Sequence, residues 1–175
     1  MNEKAEILFT RRSIRRYADG NAIAAEHLHF LLDAAMCAPS AHNRQPWHFV
    51  VITDRPMLLH LAEAHPYAKM LKRSVVAILV CGSLEDEPEE GYLVQACSAA
   101  TQNILLACEA INLGAVWLGI HPGAERMEMM RTLLGIPNEI VPVSLISIGY
   151  PAETKPRNAN FRQSRVHIAN WSRGR

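Results

Sequence analysis

Seven apolar residues in a row, Val75 to Cys81 (VVAILVC), constrain this chain more than any other feature in it. A strand with one wet face alternates apolar and polar side chains, so an unbroken run implies that both faces are covered. The rest of the chain must therefore supply packing on both sides of a sheet. With 175 residues, 49% of them hydrophobic, there is enough material for one well-cored domain and too little for two.

The neighbouring segments read as helices and further strands of a single α+β unit spanning 1–175. Glu3 to Phe9 forms a short helix that ends at the arginines. Ala24 to Ala35 places Leu28, Leu31, Leu32 and Ala35 on one helical face, and Pro39 lies where the chain must leave that helix. Trp47 to Thr53 reads as a strand. Met57 to Arg73 reads as one or two helices interrupted near Pro66. LEDEPEEG, at 84–91, is an acidic surface loop. Leu93 to Leu113 is the longest helix, poor in charge and rich in small residues, and is expected to be buried nearly all round, with Gly114 as its left-handed end. Ala115 to Leu118 is a strand running into Gly119, Pro122 to Leu134 is an amphipathic helix followed by Gly135, and Val141 to Ile148 is the last core strand. The polar tail 154–175 carries Phe161, Val166, Ile168 and Trp171, apolar anchors for which a partner subunit is a reasonable host.

Several function classes drop away. A formal net charge of +1 gives no field toward nucleic acid or anionic membranes. No run of eighteen apolar residues appears, and the N-terminus lacks the apolar core of a secretion signal, so a soluble, cytoplasmic protein is expected. Cys37, Cys81, Cys97 and Cys108 each sit among apolar neighbours and read as buried free thiols. The eight histidines are scattered without ligand spacing, and no metal site is expected.

Four clusters can carry chemistry. RRSIRRY packs Arg11, Arg12, Arg15 and Arg16 around Ser13, forked donors suited to phosphate oxygens; in an extended conformation Arg11, Ser13 and Arg15 share one side, Arg12 and Ile14 the other. A solvated basic patch is the alternative. In TKPRN, Pro156 keeps Lys155 and Arg157 on one side, a possible second jaw on the same anion. In AVWLGIHPG, the strand end at Leu118 and Gly119 offers backbone N–H groups to a flat ligand, or merely turns. In APSAHNRQPW, Pro39 and Ser40 precede the polar run His42, Asn43, Arg44, Gln45, which is either a plain loop or the wall of a site for a flat, polar-edged ligand. Trp47 and Trp117 read as core. No nucleophile–base–acid set and no GxSxG, HExxH or GxxxxGK[ST] motif is present, which leaves reactivity to a bound cofactor.

RRSIR, PSAHNRQPW, W-L-G after a long helix and GYPAETKPR, in that order, resemble the FMN-dependent nitroreductase family, in its short members, over nearly the whole chain. The resemblance implies an α+β fold with a central, mainly antiparallel sheet flanked by helices, built as an intertwined homodimer with FMN at the subunit interface and the 154–175 tail wrapping the partner. It implies that Arg11, Arg12, Ser13 and Arg15 hold the phosphate, ribityl chain and pyrimidine edge, and that Lys155 and Arg157 close on the phosphate. Pro39, Ser40, Asn43 and Gln45 would reach the other subunit's flavin, and the amides of Leu118 and Gly119 would lie near N5 and O4. No side chain is implied as a catalytic acid or base; Arg15 would tune the flavin by favouring the negative charge that develops on reduction. The implied reaction is ping-pong transfer of two electrons from NAD(P)H to nitroaromatics, quinones or similar small acceptors. The same fold also hosts dehalogenation and ring oxidation, and a flavin-storing or sensing protein with little turnover is the alternative from another class. Here Ala41 stands where many relatives carry a second serine, 84–91 replaces a longer insertion, and Lys69 stands in for an asparagine before the 75–81 strand. Lys69, Lys72, Arg73 and Arg126 are the basic residues available to tell NADPH from NADH.

Overall fold

The computed structural model describes residues 3–20, 22–169 and 171. Its centre is a four-stranded antiparallel sheet, ordered β1 (Trp47–Ile52), β2 (Val76–Ser83), β4 (Ile140–Gly149), β3 (Gly114–Gly119). The VVAILVC run is the core of β2, and every residue of that strand is buried.

The period of two sorts β2 between two apolar layers. Val76, Ile78 and Val80 pack with α2 (Ala25–Met36) and α4 (Glu90–Ala110), whose Leu31, Ala100 and Ile104 belong to the same cluster. Ala77, Leu79 and Cys81 point the other way, onto α3 (Arg55–Ala64) and α5 (Ala124–Leu134), represented by Leu58, Leu61 and Met130. α1 (Glu3–Thr10) packs against α4.

Local chemistry sets the ends. Asp54 caps α3 by accepting the Met57 N–H at 2.9 Å, with Pro in the first turn, so this helix begins two residues before the expected Met57. It stops at His65, and a 3₁₀ turn covers Lys69–Arg73. Gly135, at φ 65°, ends α5 as expected.

Three expectations are corrected. Gly114 does not end α4: Asn112 takes the left-handed position at φ 58°, and Gly114 starts β3, where a Cβ would lie 2.7 Å from the Ile14 Cγ2. The long helix is not buried all round. In the single chain, Tyr92, Gln95 and Gln102 are exposed along one side of α4. Cys37 is exposed at the end of α2, whereas Cys81, Cys97 and Cys108 are buried free thiols. Burial pushes the Cys81 and Cys97 thiols up to about 12 and Cys108 higher still, leaving all three inert.

In the tail, Phe161, Ile168 and Trp171 are exposed, and His167 stacks on Trp171 at 4.3 Å between ring centroids. The remainder of the expected tail, residues 170 and 172–175, lies outside the described residues. Among the described residues, no helix is long and apolar enough to cross a membrane.

Candidate functional site

β3 is an edge strand, and the arginine-rich segment lies along its free side. Ser13 bridges Ala115 in parallel, and the Ile14 N–H donates to the Ala115 carbonyl at 2.9 Å. Further on, Tyr17 bridges Pro151, Ala18 N–H donates to the Tyr150 carbonyl at 2.9 Å, and Ala152 N–H donates to the Arg16 carbonyl at 2.8 Å. Ile14 and Tyr17 are the buried pegs. The Tyr17 hydroxyl lies 3.0 Å from both the Ile14 and Ser147 carbonyls and 3.1 Å from Ser147 Oγ, which meets Ser74 Oγ at 2.6 Å. Burial pushes the Tyr17 pKa far up, so the phenol stays a neutral donor.

This anchoring brings the tail back to the arginines. A cavity of about 270 Å³ is lined by Arg12, Ile14, Gly114, Lys155 and Arg157, among others. Arg12 and Ile14 thus share a side, as the alternation required. Arg12 donates to the Pro156 carbonyl, Lys155 Nζ donates to the Ser13 carbonyl at 2.5 Å, and Arg157 pairs with Glu6 at 2.8 Å while lying over the Phe9 ring at 4.4 Å. Arg11 and Ser13 are half-buried and do not line this cavity; Ser13 reaches it only through the carbonyl that Lys155 holds. Arg12 on this cavity therefore holds a backbone carbonyl, Lys155 a carbonyl and, at 3.4 Å, the Glu153 carboxylate that lines the same cavity, and Arg157 the Glu6 carboxylate, partners for which an incoming phosphate competes with charge-assisted bonds.

Arg15 faces elsewhere. It lines a second cavity, about 430 Å³, together with Lys69. Its backbone is fixed by Glu153, whose Oε1 accepts the Arg15 N–H at 2.6 Å and the Arg16 N–H at 3.2 Å. The Arg15 N–H, with that of Arg16 and the nearby Lys155 ammonium, holds the Glu153 carboxyl below the usual carboxylate range. Sequence reasoning passed over Glu153; a lone acid among the basic residues of ETKPR was the available signal.

At the end of β3, Leu118 is buried and Gly119 exposed, and a Cβ on Gly119 would meet nothing within 4 Å. Open space over exposed backbone suits a flat ligand. His65, also passed over, is 2% exposed beneath this edge, and nothing in its spacing signals a role. Its Nδ1 accepts the Tyr67 N–H at 3.2 Å. Burial lowers its pKa, partly opposed by the facing Gly119 backbone, while Nε2 sits outside hydrogen-bond geometry with any partner. Burial thus disfavours the charged ring, and an Nδ1 that accepts places the proton of the neutral ring on Nε2.

The polar run after Pro39 holds an unusual backbone. His42, Asn43 and Gln45 all have positive φ, at 52°, 54° and 50°. Ser40 Oγ accepts the Gln45 N–H at 2.9 Å, and Gln45 Nε2 donates to Asn43 Oδ1 at 3.2 Å. Arg44 reaches the buried Glu87 at 3.3 Å, tying the 84–91 loop to this run. Pro39 and Ser40 line a cavity of about 290 Å³ with Tyr92 and Gln95 of α4, and no arginine borders it. The structure thus gathers Arg12, Lys155 and Arg157 at one place, Arg15 at a second, and Pro39 and Ser40 at a third.

The chain as a whole is similar to known proteins. The nitroreductase family profile matches residues 8–71 and 54–150. A protein of Methanothermobacter thermautotrophicus, provisionally named NADH dehydrogenase/NAD(P)H nitroreductase, is 46% identical over 166 residues, covering 95% of this chain and 86% of that one. A Parabacteroides distasonis structure with the same provisional name is 37% identical with a TM-score of 0.92, covering 98% of this chain and all of that one. A provisionally assigned nitroreductase from Desulfovibrio desulfuricans, solved in complex with FMN, is 33% identical with a TM-score of 0.84 over 98% of this chain and 99% of that one.

Proposed function

The chain belongs to the nitroreductase family, and from that premise we propose that it is an FMN-dependent NAD(P)H oxidoreductase acting as a homodimer. The observation that carries the reading is the arginine segment laid on the free edge of β3, where Arg12 meets Lys155 and Arg157 and Arg15 enters a separate cavity. When bound, FMN supplies two-electron chemistry, taking hydride from NAD(P)H and passing electrons to a nitroaromatic, quinone or similar acceptor. Arg12, Lys155 and Arg157 would hold its phosphate, with Arg11 and Ser13 from the same segment as further donors. Arg15 and Lys69, which share a cavity, would meet the pyrimidine edge, where positive charge favours the reduced ring. Gly119 would leave room for a flat ring over the backbone of Leu118 and Gly119. No side chain is needed as a strong acid or base, which fits a site without a catalytic set.

The homodimer is supported by the pieces a single chain leaves apart. Pro39, Ser40, Asn43 and Gln45 form a rigid polar wall with no arginine on its cavity, and they complete the site when presented by the other subunit. The wet side of α4 and the exposed Phe161, Ile168 and Trp171 are the surfaces for that association.

The deciding experiment is a visible absorption spectrum of the purified, desalted protein before and after anaerobic NADPH. Flavin bands that bleach, followed by steady turnover with menadione or a nitroaromatic, are expected. Bands that bleach without turnover identify a flavin-storing or sensing protein. A colourless protein that fails to take up added FMN refutes the reading.

A further inference from the structure

Five cations line the 430 Å³ cavity: Arg15, Arg16, Lys69, Lys72 and Arg73, and no carboxylate is among its lining residues. The nearest acids engage them from outside and in water. Lys72 meets Glu63 at 3.7 Å and Arg73 meets Asp19 at 3.2 Å, with every side chain of the two pairs more than half exposed. Such pairs contribute little and exchange readily for a better anion. The Glu153 carboxylate is taken up by the backbone of Arg15 and Arg16 and by Lys155. Among the described residues, the Arg16 and Lys69 side chains have no ion pair.

The functional reading accounts for part of this charge. FMN's phosphate belongs with Arg12, Lys155 and Arg157 on the other cavity, and its oxidised ring is uncharged, so Arg15 and Lys69 suffice at the pyrimidine edge. Arg16, Lys72 and Arg73 are left over on the same cavity lining, and like charges gathered on one wall favour an anion that joins them. Planar guanidiniums beside an ammonium form a set suited to an oxyanion. Of the four basic residues available to discriminate between nicotinamide dinucleotides, three come together here. The fourth, Arg126, is engaged on α5 with the Ile120 carbonyl.

We infer that Arg16, Lys72 and Arg73 form an oxyanion subsite at the rim of the proposed flavin cavity, taking a phosphate or carboxylate carried by the second ligand. Two sources share that chemistry: the 2′-phosphate of NADPH and an acidic group on the electron acceptor. The inference rests on the flavin reading for its ligand, though the cationic wall stands without it.

The test uses the wild-type holoenzyme and the double variant Lys72→Gln/Arg73→Gln, whose changed side chains are exposed and leave the core intact. kcat/KM is measured for NADPH against NADH with menadione, and for 4-nitrobenzoate against 4-nitrobenzamide with NADH. The member of at least one pair that carries the additional anionic group, the 2′-phosphate of NADPH or the carboxylate of 4-nitrobenzoate, should lose about tenfold in the variant, while its counterpart changes less than about twofold. Raising ionic strength should weaken that same member in the wild type. A loss confined to NADPH assigns the subsite to the 2′-phosphate, and one confined to 4-nitrobenzoate assigns it to the acceptor. A second arm titrates inorganic phosphate and benzoate into both flavin-free proteins and follows Tm. The wild type should be stabilised more than the variant by at least one of them. Unchanged kinetics for both anionic substrates, or equal Tm responses, overturn the inference even if flavin turnover is intact. A protein that never takes up FMN overturns the functional reading, and the Tm arm then decides the subsite alone.

Discussion

Gly114→Ala tests how the arginine segment is held. A Cβ there would lie 2.7 Å from the Ile14 Cγ2, 3.0 Å from its Cβ and 3.3 Å from the Pro151 Cβ. Because Ile14's own Cβ is involved, a rotamer change cannot relieve the contact. β3 cannot retreat either, since β4 pairs with it on its other side, Gly114 opposite Gly149. The 13–15 backbone has to move outward by several tenths of an ångström. Overpacking of this kind costs about 1–3 kcal/mol, and the lost backbone freedom of glycine returns about 0.5–1 kcal/mol. The net is a loss of up to about 2.5 kcal/mol, centred on about 1 kcal/mol, or roughly 2–4 °C in Tm at that centre for a chain of this length. Ile14→Ala alone should cost about 2–5 kcal/mol by emptying a site that is 7% exposed. In the double variant the new methyl fills part of that space, so the sum should overestimate the loss by about 1 kcal/mol. Urea denaturation of the four proteins measures this, with FMN affinity measured alongside. Gly114→Ala should weaken FMN because Arg12, Ser13 and Arg15 move with Ile14. Gly82→Ala, which presses on Leu93 at 2.4 Å in the core, should destabilise without that effect. Additivity within about 0.5 kcal/mol, or unchanged affinity in Gly114→Ala, refutes the reasoning.

Two further perturbations address the supports of the site. Tyr17→Phe removes the hydroxyl that lies 3.0 Å from the Ile14 and Ser147 carbonyls and should cost about 1–2 kcal/mol by chemical denaturation; a loss below about 0.3 kcal/mol would show that the hydroxyl holds nothing. Because burial depresses the His65 pKa, the unfolded chain binds more protons than the native one below about pH 6.5. Its contribution is therefore complete above that pH and is lost as pH falls through and below it. Denaturation midpoints between pH 5 and about 7.5 should drop more steeply in the wild type than in His65→Gln; parallel slopes exclude His65 as the titrating group.

The layers of the fold are legible because their signals are local. An unbroken apolar run gives β2, helical spacing gives α2, and Gly135 ends α5, each within a dozen residues of sequence. Gly114 misleads because its reason is Ile14, a hundred residues away; the local rule sees only a glycine after a helix, while Asn112 already does that work. Cys37 misleads because its apolar neighbours Met36 and Ala38 say nothing of which way the end of α2 faces. At the site, residue types and alternation were readable, including the shared side of Arg12 and Ile14. What joins them was not. Lys155 reaching the Ser13 carbonyl and Glu153 fixing the Arg15 and Arg16 amides are contacts across about 140 residues, made by the chain's return after β4.

The strand order has a consequence for the time scale on which different parts of the molecule open. β2 and β4 lie inside the sheet and are buried on both faces, so their amides should exchange with deuterium only when the whole domain unfolds. β3 has one free side, covered at Ala115 by the arginine segment and bare at Gly119, and should exchange through small local openings. The groups proposed to grip FMN thus sit on an edge of the sheet and not on its central strands. Ligand binding should register as slower exchange along that margin and the arginine segment, with the central strands scarcely changed. Access for a bulky cofactor is built in without loosening the core.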